Sequence, residues 1–220
     1  MSDSKALLEL EGVTVREGAR VVLDDVDLRV APGEIVGLSF AQAHGGKTTL
    51  LYMAAGLREP DSGSIRFDGK RLSGQRSVPP YPAMGMVFRD DGGLFPNMTI
   101  EENVALPLRY HEGDEGAEER AHAMLERVGL LESADRFPWE LTKERMRLAA
   151  LARALVYRPR LVLVDDFFAG ADEWAFGQAQ RAITQTNEEH DTAFLLIVEP
   201  ELVWDRMRKE TVDRGHVVGT

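Results

Sequence analysis

Cysteine is absent from all 220 residues of this chain. This excludes disulfide bonds, iron–sulfur clusters and zinc sites with cysteine ligands. The longest apolar runs, such as residues 193–198, are far shorter than the about 20 residues that a membrane-spanning helix needs. No apolar core follows the first five residues, so we expect no secretory signal peptide. These absences fit a cytoplasmic protein that would reach a membrane only through a partner.

Basic residues are in deficit as well. The chain has 26 Lys and Arg against 37 Asp and Glu, which gives a net charge of -11. Proteins that bind DNA or RNA usually present a basic surface to the phosphates, so this charge disfavours a nucleic-acid partner. Hydrophobic residues make up 44% of the chain, an ordinary fraction for a globular protein, and the length suits one α/β domain with a full core.

The apolar pattern alternates between strand-like and helix-like segments. Short apolar or alternating runs predict strands near residues 8–15, 26–30, 35–38, 64–67, 84–88, 161–164, 193–198 and 211–218. Longer segments predict helices at residues 48–57, 112–128, 142–156, 173–188 and 202–207, and a helix that begins at Thr99 with a capping box. The order predicts a mixed sheet with helices on both faces and a helical insert near residues 90–158.

A phosphate-binding loop is the most informative functional motif. The sequence AQAHGGKT at residues 41–48 lies between an apolar strand and a helix, where a P-loop of pattern GxxxxGK[ST] must lie. In that pattern backbone N–H groups wrap the phosphates, the lysine contacts the outer phosphates and the hydroxyl ligates magnesium. The alternative is that Gly-Gly-Lys-Thr only begins a helix. The predicted nucleotide-binding residues are His44, Gly45, Gly46, Lys47, Thr48 and Thr49.

A second anchor follows the predicted strand at residues 161–164. Asp165 and Asp166 stand directly after this strand. In P-loop NTPases a carboxylate at a strand end beside the loop holds Mg²⁺ through water. An apolar strand that ends in an acid is common by itself, but together with the loop at Lys47 it predicts a nucleotide site. Thr48 and Asp165 are therefore the predicted magnesium residues.

With both anchors in place, the chain resembles the ATPase family of ABC transporters. The matching segments follow the family's order: LDDVDL and PGEIV before the loop, LL, AGL, PDSGSI and DG after it, ARAL behind the signature, and the D-loop aspartate at Asp172. The resemblance implies an α/β P-loop NTPase of ABC type in one domain over residues 1–220. It also implies a mixed central sheet flanked by helices, an N-terminal antiparallel β subdomain and a small helical subdomain at about residues 90–158.

A narrower resemblance is to the ATPases of Mla/Mce-type lipid transporters. The segments GLFPNMT at residues 93–99, ENVALPLR at 102–109 and DDFFAGAD at 165–172 carry it, although related segments occur in other ABC importers. The family resemblance implies ATP and Mg²⁺ as cofactors, a homodimer or a heterodimer with another ABC ATPase, and a membrane permease subunit as partner. It further implies a cytoplasmic location on the inner face of the plasma membrane, through that permease.

The loops that face nucleotide in this family depart from its pattern. Ala41 and His44 replace glycines of the P-loop, and residues 16–18 offer no aromatic ring to stack on adenine. Arg89 stands at the glutamine of the Q-loop. Residues 141–145 read LTKER where the family's signature reads LSGGQ, so larger side chains crowd the approach to the γ-phosphate of a second subunit.

The residues of hydrolysis are also replaced. Asp166 stands at the catalytic glutamate, and its carboxylate is one methylene shorter, so we expect it to reach the attacking water poorly. The switch histidine falls near Glu199 and Pro200, and Glu199 would repel the γ-phosphate. A catalytic base and a phosphate donor each contribute about 10² or more in rate. We therefore expect weak or absent hydrolysis, while Lys47, Thr48 and Asp165 still allow weak nucleotide binding.

Two functions fit these substitutions. The first is the ATPase subunit of a bacterial ABC transporter, of lipid/Mce type or another, with impaired or absent hydrolysis. The second is a non-catalytic pseudo-ATPase that keeps the fold to dock on a transporter complex or regulate it. An SMC-like or DNA-repair ATPase is disfavoured by the short helical insert and the acidic charge. Because the chain ends soon after its last predicted strand, we expect no C-terminal regulatory domain.

The first prediction concerns His44. The imidazole would fill space that a phosphate needs, because the family carries a glycine at this position. We expect His44→Gly to raise the affinity of the purified protein for Mg-ATP, measured by isothermal titration calorimetry. An unchanged or weaker affinity would contradict an obstructing role for His44.

Overall fold

The computed structural model describes residues 6–40, 46–72, 82–90, 92–168, 170–199, 202, 204–213 and 216–219. The elements follow in the order β1 (Leu8–Glu17), β2 (Arg20–Val30), β3 (Ile35–Phe40), α1 (Lys47–Ala54), β4 (Ser62–Phe67), β5 (Lys70–Arg71), β6 (Met84–Val87), α2 (Ile100–Glu112), α3 (Ala117–Arg127), α4 (Lys143–Leu155), β7 (Leu161–Val164), α5 (Glu173–His190), β8 (Ala193–Ile197), β9 (Arg208–Asp213) and β10 (His216–Gly219). Short 3₁₀ helices at Leu131–Ser133 and Pro138–Glu140 lie between α3 and α4. Within these ranges no helix is long and apolar enough to cross a membrane.

The N-terminal strands form an antiparallel sheet. Its order is β2-β1-β4-β5, and each neighbouring pair runs antiparallel. In β1 the apolar side chains of Leu8, Leu10, Val13 and Val15 are buried, which places one face of the strand against the core. The antiparallel N-terminal β region implied by the family resemblance is thus confirmed.

The second sheet is mixed, as predicted, and most of its strands are parallel. Its order is β10-β9-β3-β8-β7-β6; only β10 among these described strands runs antiparallel to its neighbour. Every residue of β3, β7 and β8 is buried. Such continuous burial is typical of parallel strands that are covered on both faces. As a result, the carboxyl ends of β3, β6, β7 and β8 meet at one edge of the sheet, where open α/β sheets bind ligands.

Two apolar clusters cover the two faces of this sheet. Leu161 and Leu163 of β7 belong to the cluster that includes α1 and the N-terminal sheet. Val162 and Val164 belong to the other, which includes residues of α2, α3, α4 and α5. The alternation along β7 therefore places helices on both faces, as the sequence predicted. The assignment of residues 90–158 to a helical subdomain of a single domain stays a prediction.

Three predicted elements differ from the structure. The helix predicted over residues 112–128 is divided, because α2 ends at Glu112 and α3 begins at Ala117. Gly113 and Gly116 lie between them with φ of 95° and 71°, in the left-handed region that a continuous right-handed helix does not allow. The predicted strand at residues 211–218 is instead the hairpin of β9 and β10, in which Asp213 pairs with His216.

The helix predicted at residues 202–207 is wrong for the described positions. Residues 202 and 204–207 form no helix. The backbone N–H of Met207 donates to the carbonyl of Trp204 at 2.9 Å, which makes a turn. Arg208 then pairs with Val36 of β3, so the chain is already extended one residue after this turn. Sheet pairing therefore overrides the local helical propensity.

The predicted capping box begins α2. The Thr99 hydroxyl accepts from the backbone N–H of Glu102 at 3.2 Å, and the Glu102 carboxylate accepts from that of Thr99 at 2.8 Å. These two bonds satisfy backbone donors that the first helical turn leaves unpaired. The capping box is thus confirmed, and it fixes where the chain enters the helix.

A buried asparagine stabilises the same entry. The Asn103 side chain accepts from the Phe95 N–H at 2.7 Å and donates to the carbonyls of Phe95, Met98 and Thr99 at 3.0, 3.2 and 2.9 Å. Its exposed fraction is 0%.

We expect Asn103→Ala to lower the free energy of unfolding by about 2–4 kcal/mol, because it leaves buried backbone groups unpaired. Urea denaturation measures the change.

The exposed Asn97 in the same loop offers a matched control for this variant. We expect Asn97→Ala to change the free energy of unfolding by less than about 0.5 kcal/mol. Equal effects of the two variants would contradict the stabilising role of Asn103.

Candidate nucleotide-binding site

The carboxyl ends of four neighbouring parallel strands converge on one site. The loop after β3 leads to α1, while β6, β7 and β8 end shortly before charged side chains. The structure brings together six of the residues singled out above: Lys47, Thr48, Arg89, Asp165, Asp166 and Glu199. The predicted residues Ala41, His44 and Gly45 lie outside the described part of the chain.

The start of α1 forms one wall of the site. Lys47, Thr48 and Thr49 occupy its first turn, and Gly46 is its N-cap with φ of 82°. A Cβ atom on Gly46 would lie 2.6 Å from Cδ2 of Leu23, closer than any real contact, so the position needs glycine. The unpaired N–H groups of a helix N-terminus attract anions, and Lys47 adds a full positive charge. This geometry suits a phosphate group.

Thr48 and Asp165 are in direct contact, as expected for two residues that share a metal. The Thr48 Oγ1 donates to Asp165 Oδ2 at 2.7 Å. Asp165 is only 2% exposed, and its Oδ1 has no hydrogen-bond partner among the described residues. Burial raises the pKa of Asp165 above its ordinary value, and the Thr48 hydrogen bond and the charge of Arg89 oppose this shift.

These two side chains fit a magnesium ion. Mg²⁺ prefers hard oxygen ligands and keeps several of its waters, so it uses few protein side chains. The Thr48 hydroxyl provides one oxygen, and the unpartnered buried Oδ1 of Asp165 can accept from a metal-bound water. When bound, Mg²⁺ neutralises charge on the β- and γ-phosphate oxygens.

Asp166 and Arg89 form an ion pair that the sequence did not reveal. Arg89 Nη2 donates to Asp166 Oδ2, and this hydrogen bond raises the pKa of the guanidinium above its ordinary value. Asp166 is 7% exposed and adopts φ of 53°, a left-handed conformation that Asp tolerates better than most residues. The Q-loop position and the catalytic-glutamate position are thus occupied by partners of opposite charge.

A second arginine holds the two sides of this pair together. Arg147, on α4, donates from Nη1 to the Phe167 carbonyl at 3.1 Å and from Nε to the Asp90 carbonyl at 3.4 Å. Phe167 and Asp90 directly follow Asp166 and Arg89 in the sequence. Sequence reasoning missed Arg147, because nothing in a helix rich in Ala, Leu and Arg distinguishes one arginine from the others.

Glu199 lies on the opposite side, near the P-loop lysine. Its Oε1 is 3.9 Å from Lys47 Nζ, and its side chain is 53% exposed. Such a loose, partly exposed pair contributes about 0–1 kcal/mol. At this distance Glu199 still places a negative charge close to Lys47, the cation that would contact phosphate. Pro200, the neighbouring candidate, lies outside the described residues.

The signature region forms a separate surface. Thr142 is the N-cap of α4, and its hydroxyl accepts from the Arg145 N–H at 3.5 Å. Hydrogen bonds from the Glu144 backbone N–H and from the Thr142 hydroxyl lower the pKa of the Glu144 carboxyl. An anionic side chain thus lies at the helix N-terminus that the family directs at phosphate.

Asp172, at the predicted D-loop position, caps α5 and also lines a cavity at this surface. Its Oδ1 accepts from the Ala175 N–H at 2.7 Å. Arg145 lies 5.2 Å over the ring of Trp174, and both residues line a cavity of about 460 Å³ together with the start of α4. Side chains of the LTKER segment therefore line this cavity, where the family's signature has two glycines.

The sequence of this chain is similar to a protein family and to several transport proteins. The ABC transporter family model matches residues 23–169. The spermidine/putrescine import ATP-binding protein PotA of Nitrosospira multiformis is 34% identical over 96% of this chain, which spans 58% of the length of that protein. The intermembrane phospholipid transport system ATP-binding protein MlaF of Haemophilus influenzae is 35% identical over 83% of this chain and 70% of its own length.

Solved structures show the same fold. A dimeric ATP-binding cassette in a post-hydrolysis state, bound to ADP and Pi, superposes with a TM-score of 0.82 over 96% of both chains at 24% identity. The protein cbiO1 from Clostridium perfringens, part of the ABC transporter complex cbiONQ, superposes with a TM-score of 0.80 over 97% of this chain and 87% of its own at 21% identity. The family model, the sequence relatives and these folds agree, and this chain belongs to the ABC transporter family.

Proposed function

We propose that this chain is the nucleotide-binding subunit of a bacterial ABC transporter in which ATP hydrolysis is impaired or absent. One observation carries the proposal: Asp166, at the position of the catalytic glutamate, is hydrogen-bonded to Arg89. A carboxylate oxygen that already accepts from a guanidinium is less basic and less available to accept a proton from water. General-base catalysis requires a carboxylate within hydrogen-bond reach of that water, and it contributes about 10²–10⁴ in rate.

Two further carboxylates oppose phosphoryl transfer. Glu199 lies beside Lys47, where the family has a histidine, and Glu144 lies at the N-terminus of α4. Both would repel the negative charge of a γ-phosphate rather than stabilise it. Because phosphoryl transfer depends almost wholly on positioning and electrostatics, these charges add to the loss caused by Asp166.

Nucleotide binding has better support than hydrolysis. Lys47 and the N-terminus of α1 offer positive potential to phosphates, and Thr48 and Asp165 fit magnesium. These residues are the ones by which P-loop proteins hold a nucleotide. The solved cassette bound to ADP and Pi shares this fold, which supports ATP as the nucleotide for this chain.

A membrane permease is the proposed partner. An apolar groove of about 480 Å³ lies beside the Q-loop, and Phe88, Phe95, Leu106 and Pro107 are among its lining residues. Phe95 is 47% exposed there, whereas the neighbouring Leu94 is 6% exposed in the core. Exposed apolar surface of this kind is typical of a protein interface. The relatives named as import and phospholipid transport proteins support a transporter complex.

The MlaF relative and the segments at residues 93–99 and 165–172 further support a lipid-transporting permease of Mla/Mce type. Such a partner would hold the chain on the cytoplasmic face of the membrane. The second subunit of the dimer is either another copy of this chain or an active paralogue, and neither arrangement repairs Asp166.

The alternative function is a pseudo-ATPase that docks on a transporter or regulates it without nucleotide. The contact between Lys47 and Glu199 favours it, because the lysine then has an internal anion in place of a phosphate. Binding of ATP at any concentration up to the millimolar range would contradict this alternative, and the experiments below measure it.

The first functional prediction concerns turnover. We expect the purified chain, alone or with a co-purifying permease, to release phosphate from Mg-ATP no faster than its Lys47→Ala variant. The physical reason is that Asp166 is paired and no other described carboxylate stands at the position of the base. Phosphate release measures the rate. Clear turnover that Lys47→Ala abolishes would contradict impaired hydrolysis.

The family's side chains can be restored at both positions of the ion pair. Arg89→Gln combined with Asp166→Glu removes the ion pair and restores the family's side chains at both positions. We expect this double variant to release phosphate at least about tenfold faster than the unchanged chain, because a catalytic base contributes about 10²–10⁴. The full rate should not return, since Glu199 and the LTKER segment remain.

Arg160→Gln combined with Asp166→Glu is the matched control for the reversion. It removes an arginine that pairs with Asp68 away from the site. We expect this control variant to release phosphate no faster than the unchanged chain. If the double reversion binds ATP but gains no turnover, the ion pair is not what limits hydrolysis.

A further inference from the structure

We propose that the guanidinium of Arg89 takes the place of the magnesium ion, so that this site binds nucleoside triphosphate without needing a divalent cation. The inference rests on the proposed function, because it concerns the nucleotide that the P-loop would hold. Thr48 and Asp165 still offer oxygens to Mg²⁺. A fixed positive charge, however, already lies beside them.

The charges at the end of β7 give the first reason. Asp165 and Asp166 are adjacent, and they are only 2% and 7% exposed. Two neighbouring carboxylates with so little contact with water are unfavourable unless a cation compensates for them. Arg89 provides this compensation from within the chain, since it hydrogen-bonds to Asp166 and its charge also acts on Asp165.

We expect a divalent cation to bind less tightly here than in a site without the arginine. Asp166 already has a cationic partner, so a metal held by Thr48 and Asp165 would have the support of one carboxylate fewer. The guanidinium would also repel it, because its positive charge acts on Asp165, the carboxylate that would hold the metal. The pairing of Asp166 and the repulsion by Arg89 therefore both lower the affinity of the site for Mg²⁺.

The same guanidinium is suited to phosphate. An arginine presents five N–H donors in a fixed plane that matches the oxygens of a phosphate group. The bond to Asp166 uses Nη2, and the Arg89 side chain remains 48% exposed at the edge of the sheet. Its other donors are thus available to a triphosphate at the N-terminus of α1, where Thr48 contacts Asp165, the neighbour of Asp166.

The position of Arg89 is held by further contacts. Arg147 binds the carbonyls of Asp90 and Phe167, the residues that directly follow the two members of the pair. Arg153, also on α4, donates to the carbonyls of Gly92 and Gly93 at 2.8 and 2.7 Å. The segment that follows Arg89 is thus tied to α4 at Asp90, Gly92 and Gly93. A cation that replaces a metal needs such a fixed position.

The experiment measures ATP binding to the purified full chain by isothermal titration calorimetry, in excess MgCl₂ and in excess EDTA. We expect the two dissociation constants of the unchanged chain to agree within about threefold. Arg89→Gln should weaken binding in EDTA by about tenfold, because it removes hydrogen bonds to a charged group, and Mg²⁺ should restore it. Arg89→Lys keeps the charge and should retain most of the binding in EDTA.

Arg160→Gln is the matched control. Arg160 pairs with Asp68 at 2.9 Å at the opposite end of β7, and it is similarly exposed at 52%. We expect its affinity for ATP to equal that of the unchanged chain in both buffers. Thermal unfolding of each variant shows whether the fold is kept, and Arg89→Lys carries the test if Arg89→Gln does not fold.

The outcomes separate this inference from the proposed function. Binding by the unchanged chain that requires Mg²⁺ would overturn the role of Arg89 and leave nucleotide binding in place. Binding in EDTA that is the same in folded Arg89→Gln and in the unchanged chain would also overturn it. Absence of ATP binding in both buffers would overturn the inference and the proposed nucleotide-binding function together.

Discussion

The burial of the parallel strands on both faces is the constraint from which the site follows. β3, β7 and β8 have no exposed residue, so their side chains are divided between two apolar clusters and their register is fixed. Parallel strands in fixed register deliver their carboxyl ends to one edge. The P-loop, the acidic pair and the switch position therefore lie together regardless of which side chains occupy them, and the fold tolerates their replacement.

The replacements are not independent of one another in space. Arg89 and Asp166 follow different strands, β6 and β7, yet they form one ion pair. The sequence resemblance predicts the Q-loop glutamine and the catalytic glutamate at these two positions. Glu199 and Lys47 form a second, looser pair across the same edge. Charged side chains at this edge thus pair with one another, while the residues of the apolar clusters behind them are buried.

The fold was predictable from the sequence to the extent that periodicity and local signals decide it. The wholly apolar run of β7 and the capping box at Thr99 both define their elements without tertiary information. The helix predicted at residues 202–207 failed, because Arg208 pairs with Val36 from a distant part of the chain. A local sequence pattern cannot show that a segment pairs with a strand far away in the sequence.

The sequence by itself determined the chemistry available to the site: a lysine and a threonine at the start of a helix, two acids after a buried strand, and an arginine where the family has glutamine. These identities follow from order and spacing, which a linear comparison reads directly. Only the tertiary structure decided that Arg89 binds Asp166 and that Arg147 holds both of their loops. The reason is that charge pairing depends on which strands are neighbours in the sheet, and sheet order is set by packing rather than by position along the chain.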